Sequence, residues 1–266
     1  MNSIKTLSRM NGRWSIVTGA AGHLGIVIAE TLSELGSNLI LVDRENSELK
    51  EKVKSIISSS ESKVDCHFVD LESSSERLQF LKALKEYPEI NVLVNNAAFV
   101  GTSDLKGWGV PFLEQTVDTW RRAIEVNLTS VFELTQGLVI KMQNSSGANI
   151  INIASIYGQY GPNWGLYEGT SMANPAAYAA SKGGLIQFTR WLATTLSPKI
   201  RVNSISPGGI FRNQPETFVK KYIENTPLKR MAREEDFKGV IAFLASDLSA
   251  YMTGQNISVD GGWGVW

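Results

Sequence analysis

The sequence predicts a doubly wound α/β fold, a parallel sheet of about seven strands with helices on both faces. Three observations predict it. Short apolar runs of strand length alternate with longer helical patterns along the chain. The first apolar run leads through a glycine-rich turn into a helix. Chemistry-bearing polar residues stand just after the apolar part of successive strands, where open parallel sheets form their ligand crevice.

Strands are expected near 14–18, 38–42, 64–69, 91–94, 148–154, 200–205 and 256–259. Helices are expected near 24–35, 45–58, 75–86, 115–142, 175–196 and 233–246. Right-handed crossovers then align the strand C-terminal ends along one rim. The Ser-rich stretch Ser55 to Ser62 suits a helix end and a surface loop. Nothing in the sequence divides it, so one domain spanning 1–266 is expected.

The first turn is Thr18-Gly19-Ala20-Ala21-Gly22-His23-Leu24-Gly25. It follows the apolar Trp14 to Val17, and the helix after it stops near Gly36. Glycines let backbone N–H groups approach a pyrophosphate, and a helix N-terminus favours negative charge there. The glycines are spaced three and three, unlike the two and three of the usual dinucleotide fingerprint. The second strand, Asn38 to Val42, ends at Asp43, 18 residues beyond Gly25. A carboxylate there suits adenosine ribose hydroxyls and repels a 2′-phosphate. Two like charges about 4 Å apart cost roughly 4 kcal/mol at an effective dielectric of 20. The turn also has no Lys or Arg to hold that phosphate, although Arg44 follows Asp43. NAD is therefore expected in preference to NADP.

Tyr178 and Lys182 stand four residues apart in an expected helix, so they share one face. A phenol ordinarily titrates near 10, and bringing it to about 7 needs roughly 4 kcal/mol. A neighbouring ammonium could supply an interaction of that order.

Composition narrows the function classes. Of 266 residues, 43% are hydrophobic and 20% charged, enough for one sizeable core. Formal net charge is zero, which argues against nucleic acid or an anionic membrane as partner. No apolar run approaches 18 residues, and the first eleven lack a secretory core, so a cytoplasmic protein is expected. Cys66 is the single cysteine, which excludes an internal disulfide and a cysteine-based zinc site. It reads as a small buried hydrophobe, and no metal is expected.

The glycine turn, Asp70-Leu71, Asn95-Asn96-Ala97-Ala98, Asn127, Ser155, Tyr178-x-x-x-Lys182 and Pro207-Gly208 occur in the order of one known family. From about Gly12 to Trp263 the chain resembles the single-domain short-chain dehydrogenases/reductases. The resemblance implies a Rossmann-like sheet and the following roles. Asp70 and Leu71 would border the adenine, and Asn96, Ala97 and Ala98 the adenosine ribose. Ala98 and His23 stand where the family usually has glycine, and His23 could donate to a phosphate. Ser155 would donate to the substrate oxygen, and Tyr178 would act as general acid or base. Lys182 would bind the nicotinamide ribose and lower the tyrosine pKa. Asn127 would hold a proton-relaying water. Pro207, Gly208, Gly209 and Ile210 would meet the nicotinamide end. Arg212 replaces a common threonine and could clamp a cofactor phosphate or an acidic substrate group. The segment Phe211 to Pro227 resembles a mobile substrate lid.

Ser155 and Tyr178 are 23 residues apart, where relatives have about a dozen. The excess, within 156–172, carries Tyr157, Tyr160, Trp164 and Tyr167. Aromatic faces with polar handles suit a sugar-like ligand, and members in surface-sugar and flagellin-modification pathways have a similar loop. A loop folded on itself or against another subunit is the alternative. The long helices and the tail with Trp263 and Trp266 resemble the family's interfaces, so a homotetramer is expected and a dimer second. The implied activity is NAD-dependent interconversion of a secondary alcohol and a ketone on a small polar molecule. A nucleotide-sugar epimerase or dehydratase and a non-catalytic NAD-binding protein are the alternatives.

Overall fold

The structure, a computed structural model, describes residues 2–45, 48–59, 61–99 and 105–266. Its strands are β1 (Trp14–Thr18), β2 (Asn38–Asp43), β3 (Val64–Phe68), β4 (Val92–Asn95), β5 (Asn149–Ile153), β6 (Arg201–Pro207) and β7 (Asn256–Val259). All pair in parallel, in the order β3-β2-β1-β4-β5-β6-β7. The order reverses between β1 and β4, which opens a crevice beyond their C-terminal ends.

The helices are α1 (Ile4–Ser8), α2 (His23–Glu34), α3 (Leu49–Ser59), α4 (Ser74–Ala83), α5 (Val117–Ile124), α6 (Ser130–Gln143), α7 (Ala176–Leu196), α8 (Glu216–Glu224) and α9 (Lys238–Ala245). The expected helix over 45–58 begins late, and its Asn46 and Ser47 lie outside the described residues, as does Ser60 of the serine-rich stretch. The single helix expected over 115–142 is two, joined by a π-helical turn, Glu125–Thr129. The expected lid segment contains α8, whose Phe218 and Tyr222, four apart, are buried.

Alternate residues of each strand enter opposite faces of the sheet, as the two-residue period of a strand requires. Val17, Leu41 and Val94 pack with Ile28 and Leu32 of α2 and Leu244 of α9. Ile16, Ile40 and Leu93 pack with Phe80 of α4, Leu134 and Leu138 of α6, and Leu192 of α7. Strands covered on both sides read as continuous apolar runs, which is why they were visible in the sequence. Cys66 on β3 is only half-buried, and burial, then Asp65, raises its thiol pKa.

Candidate active site

A cleft of about 850 Å³ runs along the C-terminal rim of the sheet. One end is built from the β1–α2 turn. Gly19 has φ of +64°, and a Cβ there would stand 2.8 Å from the Ala97 Cα. A Cβ on Gly25 would fall 2.0 Å from the Gly19 carbonyl oxygen, so only glycine permits the turn to pack this tightly. Gly22 caps α2 without a side chain, so the first-turn N–H groups remain for an external acceptor. Gly19, Gly22, His23, Leu24 and Gly25 line the cleft, with His23 exposed.

Polar struts fix this turn. The Asn96 carboxamide donates to the Thr18 and Gly19 carbonyls, both at 3.0 Å. The Asn96 and Ala97 amides donate to the Thr18 hydroxyl at 3.1 Å. The Asp43 carboxylate accepts from the Ala21 and Arg44 amides, both at 2.8 Å, which ties the tip of β2 to the turn. Asp43, Asp70, Leu71, Asn96, Ala97 and Ala98 all line the cleft.

This end also contains a cation, Lys52, that the sequence did not place there. Lys52 reaches back from α3 to the Ala21 carbonyl at 2.8 Å and pairs with Glu48 at 3.4 Å. The turn itself has no Lys or Arg, but Arg44, which the sequence already placed after Asp43, and Lys52 both line the cleft beside Asp43. Packing of α3 on the turn is the reason Lys52 lies there, and the Glu48–Lys52 spacing was its only sequence signal. Arg122, also unforeseen, holds Glu72 through two bonds of 2.7 and 3.1 Å and lies over the Phe99 ring.

The other end gathers Ser155, Tyr178 and Lys182. Ser155 follows β5, and its hydroxyl accepts from the Tyr157 amide at 3.2 Å. The turn after it presses on α7: a Cβ at Gly158 would lie 2.7 Å from the Lys182 carbonyl carbon. That close approach brings Ser155 and Tyr178 together despite the long intervening segment. Burial raises the Tyr178 pKa, while a hydrogen bond with Ser155 and the charge of Arg212 oppose the rise. Lys182 is 2% exposed, donates to the Ile153 carbonyl at 2.7 Å, and is pushed down to about 8 by burial. Its ammonium lies 5.8 Å from the centre of the tyrosine ring. Ser155 and Arg212 are the groups that lower the phenol here, and burial outweighs them.

Asn127 sits in the π-helical turn, a geometry frequent at functional sites. Its carboxamide donates to the Ser181 hydroxyl at 2.9 Å and accepts from the Phe99 amide at 2.6 Å, bracing α7 against the cleft wall. Buried Arg77 holds that turn from behind, pairing with Glu125 at 2.6 Å and with Glu133, and donating to the Leu71 carbonyl at 2.5 Å.

Pro207, Gly208 and Ile210 line the cleft, but Gly209 does not. The Gly209 amide donates to the Tyr222 hydroxyl at 2.6 Å, which anchors α8. The four aromatic residues expected at the substrate also stand outside the cleft lining. The Tyr157 and Tyr167 hydroxyls bond at 2.6 Å, Trp164 packs on Tyr167, and Tyr167 packs on Phe218. Tyr160 donates to the Gly264 carbonyl at 3.0 Å and, with Tyr157, packs on Trp263. The segment folds on itself, on α8 and on the C-terminal tail because those surfaces partly cover the Tyr157 and Tyr167 rings, while Tyr160 and Trp164 remain exposed.

A tight glycine turn at a helix N-terminus without a side-chain cap, a carboxylate at the tip of β2, and a serine, tyrosine and lysine at the far end form the arrangement of a dinucleotide-dependent oxidoreductase. Residues 19–264 match the family model described as Enoyl-(Acyl carrier protein) reductase. The chain is 32% identical to 3-oxoacyl-[acyl-carrier-protein] reductase FabG of Aquifex aeolicus, covering 96% of this chain and 98% of the relative. It is 30% identical to post-translational flagellin modification protein A of Campylobacter coli, covering 94% and 97%. A structure of a putative NAD(P) dependent gluconate 5-dehydrogenase from Beutenbergia cavernae with bound NADP superposes with a TM-score of 0.86 at 27% identity, covering 98% and 100%. The chain belongs to the short-chain dehydrogenase/reductase family and is an oxidoreductase acting on CH–OH groups, with a nicotinamide cofactor.

Proposed function

We propose that the chain interconverts a secondary alcohol and a ketone on a small, sugar-like polar substrate with NAD as cofactor. The observation that carries this reading is the meeting of Ser155, Tyr178 and Lys182 at one end of a cleft whose other end is the glycine turn and Asp43. The residues present fit the cofactor. The turn leaves no room for a Cβ at Gly19 or Gly25, and α2 offers uncapped N–H groups to the pyrophosphate. Asp43, Asp70, Leu71, Asn96, Ala97 and Ala98 would hold the adenosine half; Lys182, Pro207, Gly208 and Ile210 would hold the nicotinamide half. When bound, the nicotinamide accepts or donates the hydride.

Ser155 orients the substrate oxygen by a hydrogen bond. Tyr178, neutral in its buried setting, gives that oxygen a proton in reduction and takes one back in oxidation. Lys182 supports the ribose and the proton path, and Asn127 keeps α7 in register with the cleft. Asp43 supports NAD, while Arg44 and Lys52 beside it are the groups an NADP reading would use. A sugar-like substrate gains support from the relatives named for flagellin modification and gluconate oxidation. We place the protein in the cytoplasm as a homotetramer, in keeping with exposed Trp120, Phe132 and Trp191 on α5–α7 and Trp266 at the tail. Among the described residues no helix is long and apolar enough to cross a membrane.

The test is absorbance at the reduced-nicotinamide band with a panel of sugars, polyols, sugar acids and a 3-oxoacyl thioester, each with NAD(H) and NADP(H). Net NADH change with a sugar or polyol derivative supports the proposal. Turnover confined to the thioester, or confined to NADP(H), would contradict it.

A further inference from the structure

The cleft is electrically lopsided. Its acidic lining residues, Asp43, Glu48, Asp70 and Glu72, lie at the end of β2 or on the segments that follow β2 and β3. The lining supplied after β5, β6 and by α7 has no carboxylate; its charged groups are Lys182 and Arg212. Lys182 is 2% exposed, gives one bond to the Ile153 carbonyl and is assigned above to the nicotinamide ribose. Arg212 is not committed in the same way. Its Nε pairs with Glu234 at 3.2 Å, and no hydrogen bond from its terminal amino groups occurs among the described residues.

The backbone under Arg212 is held in place. The Arg212 amide donates to the Gln214 side-chain oxygen at 2.7 Å, and the Gln214 amide group returns to the Ile210 carbonyl at 2.8 Å. The Phe211 amide donates to the Ala232 carbonyl at 2.9 Å, beside the parallel bridge between Ile210 and Ala232. Glu234 grips the guanidinium from outside the cleft lining. The planar fork is thus oriented by one carboxylate and keeps donors for a second anion. Arg212 and Tyr178 line the same cleft, and the charge of Arg212 opposes the rise in the Tyr178 pKa.

We propose that Arg212 binds a carboxylate on the substrate, so that the enzyme selects hydroxy or keto sugar acids over neutral polyols. This rests on the sugar-like reading above and narrows it. A charge-assisted contact of this kind predicts a preference of about tenfold or more for the acid.

The probes are D-gluconate and D-glucitol, which share a hydroxylated chain and differ in the carboxylate. Binding to the NAD-loaded protein is measured by calorimetry and turnover by NADH formation, for wild type, Arg212→Gln, Arg212→Lys and Glu234→Gln. NAD affinity is measured separately without either probe. Wild type is expected to bind gluconate at least tenfold more tightly than glucitol. Arg212→Gln should erase that ratio and leave NAD affinity within twofold. Arg212→Lys should restore part of it, and Glu234→Gln should retain it. The proposal is overturned if wild type does not discriminate, if the ratio survives in Arg212→Gln, or if that variant loses NAD affinity about tenfold with the ratio unchanged. Selective gluconate binding lost in Arg212→Gln, without turnover of either probe, would support the anion site and count only against the assigned reaction.

Discussion

Replacing Lys182 with methionine should destroy activity and yet leave the cofactor-free protein at least as stable as wild type near pH 7. The reason is the burial of an ammonium that is 2% exposed. The fold lowers its pKa from 10.5 to about 8, and desolvation is the cause. The unfolded chain therefore holds the proton more tightly, and between those two values it binds more protons than the fold does. Wild-type stability rises with pH across that window. At about 1.4 kcal/mol per unit, keeping the charge costs roughly 3 kcal/mol at pH 7, of which about 2 is recovered by pH 9.5. Methionine has similar length and no charge, but it leaves the buried Ile153 carbonyl without its donor, a loss of about 1–3 kcal/mol at any pH. The two terms nearly cancel at pH 7, so Lys182→Met should match wild type or exceed it by up to about 2 kcal/mol. At pH 9.5 the balance should move toward wild type by about 2 kcal/mol. Urea unfolding followed by tryptophan fluorescence at both pH values measures this. A difference that stays constant with pH would refute the argument, because the lysine would then titrate alike in both states.

Other outcomes follow from the same geometry. Asp43→Ala removes the acceptor of the Ala21 and Arg44 amides and should weaken NAD about tenfold or more while narrowing discrimination against NADP; equilibrium binding of both cofactors checks it, and a wild type that already prefers NADP defeats it. Gly25→Ala places a Cβ 2.0 Å from the Gly19 carbonyl oxygen, and should lower Tm and abolish cofactor binding, with a stability loss of about 1–3 kcal/mol or more. Gly109→Ala, whose Cβ would meet nothing within 4 Å, is the control and should leave both unchanged. Equal behaviour of the two variants would show that the turn tolerates a side chain.

The central strands were legible because they are covered on both faces and so carry apolar runs, as in Leu39 to Val42, whereas the edge strands β3 and β7 are only partly buried and carry mixed sequences. The rim positions of Asp43, Asn96 and Ser155 followed from the parallel arrangement. What was hidden depends on partners distant in sequence. The rings of Tyr157, Tyr160 and Tyr167 read as ligand handles, but they meet Phe218, Trp263 and Gly264, which no local pattern connects to them. Gly209 was assigned with its neighbours, yet its amide serves Tyr222, thirteen residues on. The spacing of Tyr178 and Lys182 gave their shared face but not the depth of their burial, and burial decides both pKa directions. The break in the helix over 115–142 was likewise invisible, because a π-helical turn needs no glycine or proline to mark it. Arg77, which holds that turn from behind, could have been noticed as an arginine on the otherwise apolar face of α4 with Phe80.

The account turns on proton exchange by the Tyr178 hydroxyl at the oxygen that Ser155 orients. Tyr178→Phe removes that hydroxyl alone. Turnover by the purified protein on whichever substrate the panel identifies should fall by at least a thousandfold, within the range for general acid–base groups combined with lost positioning. NAD affinity, measured on the same preparation, should stay within about twofold, since the pyrophosphate and ribose contacts lie elsewhere. Turnover that survives in the phenylalanine variant would contradict the account.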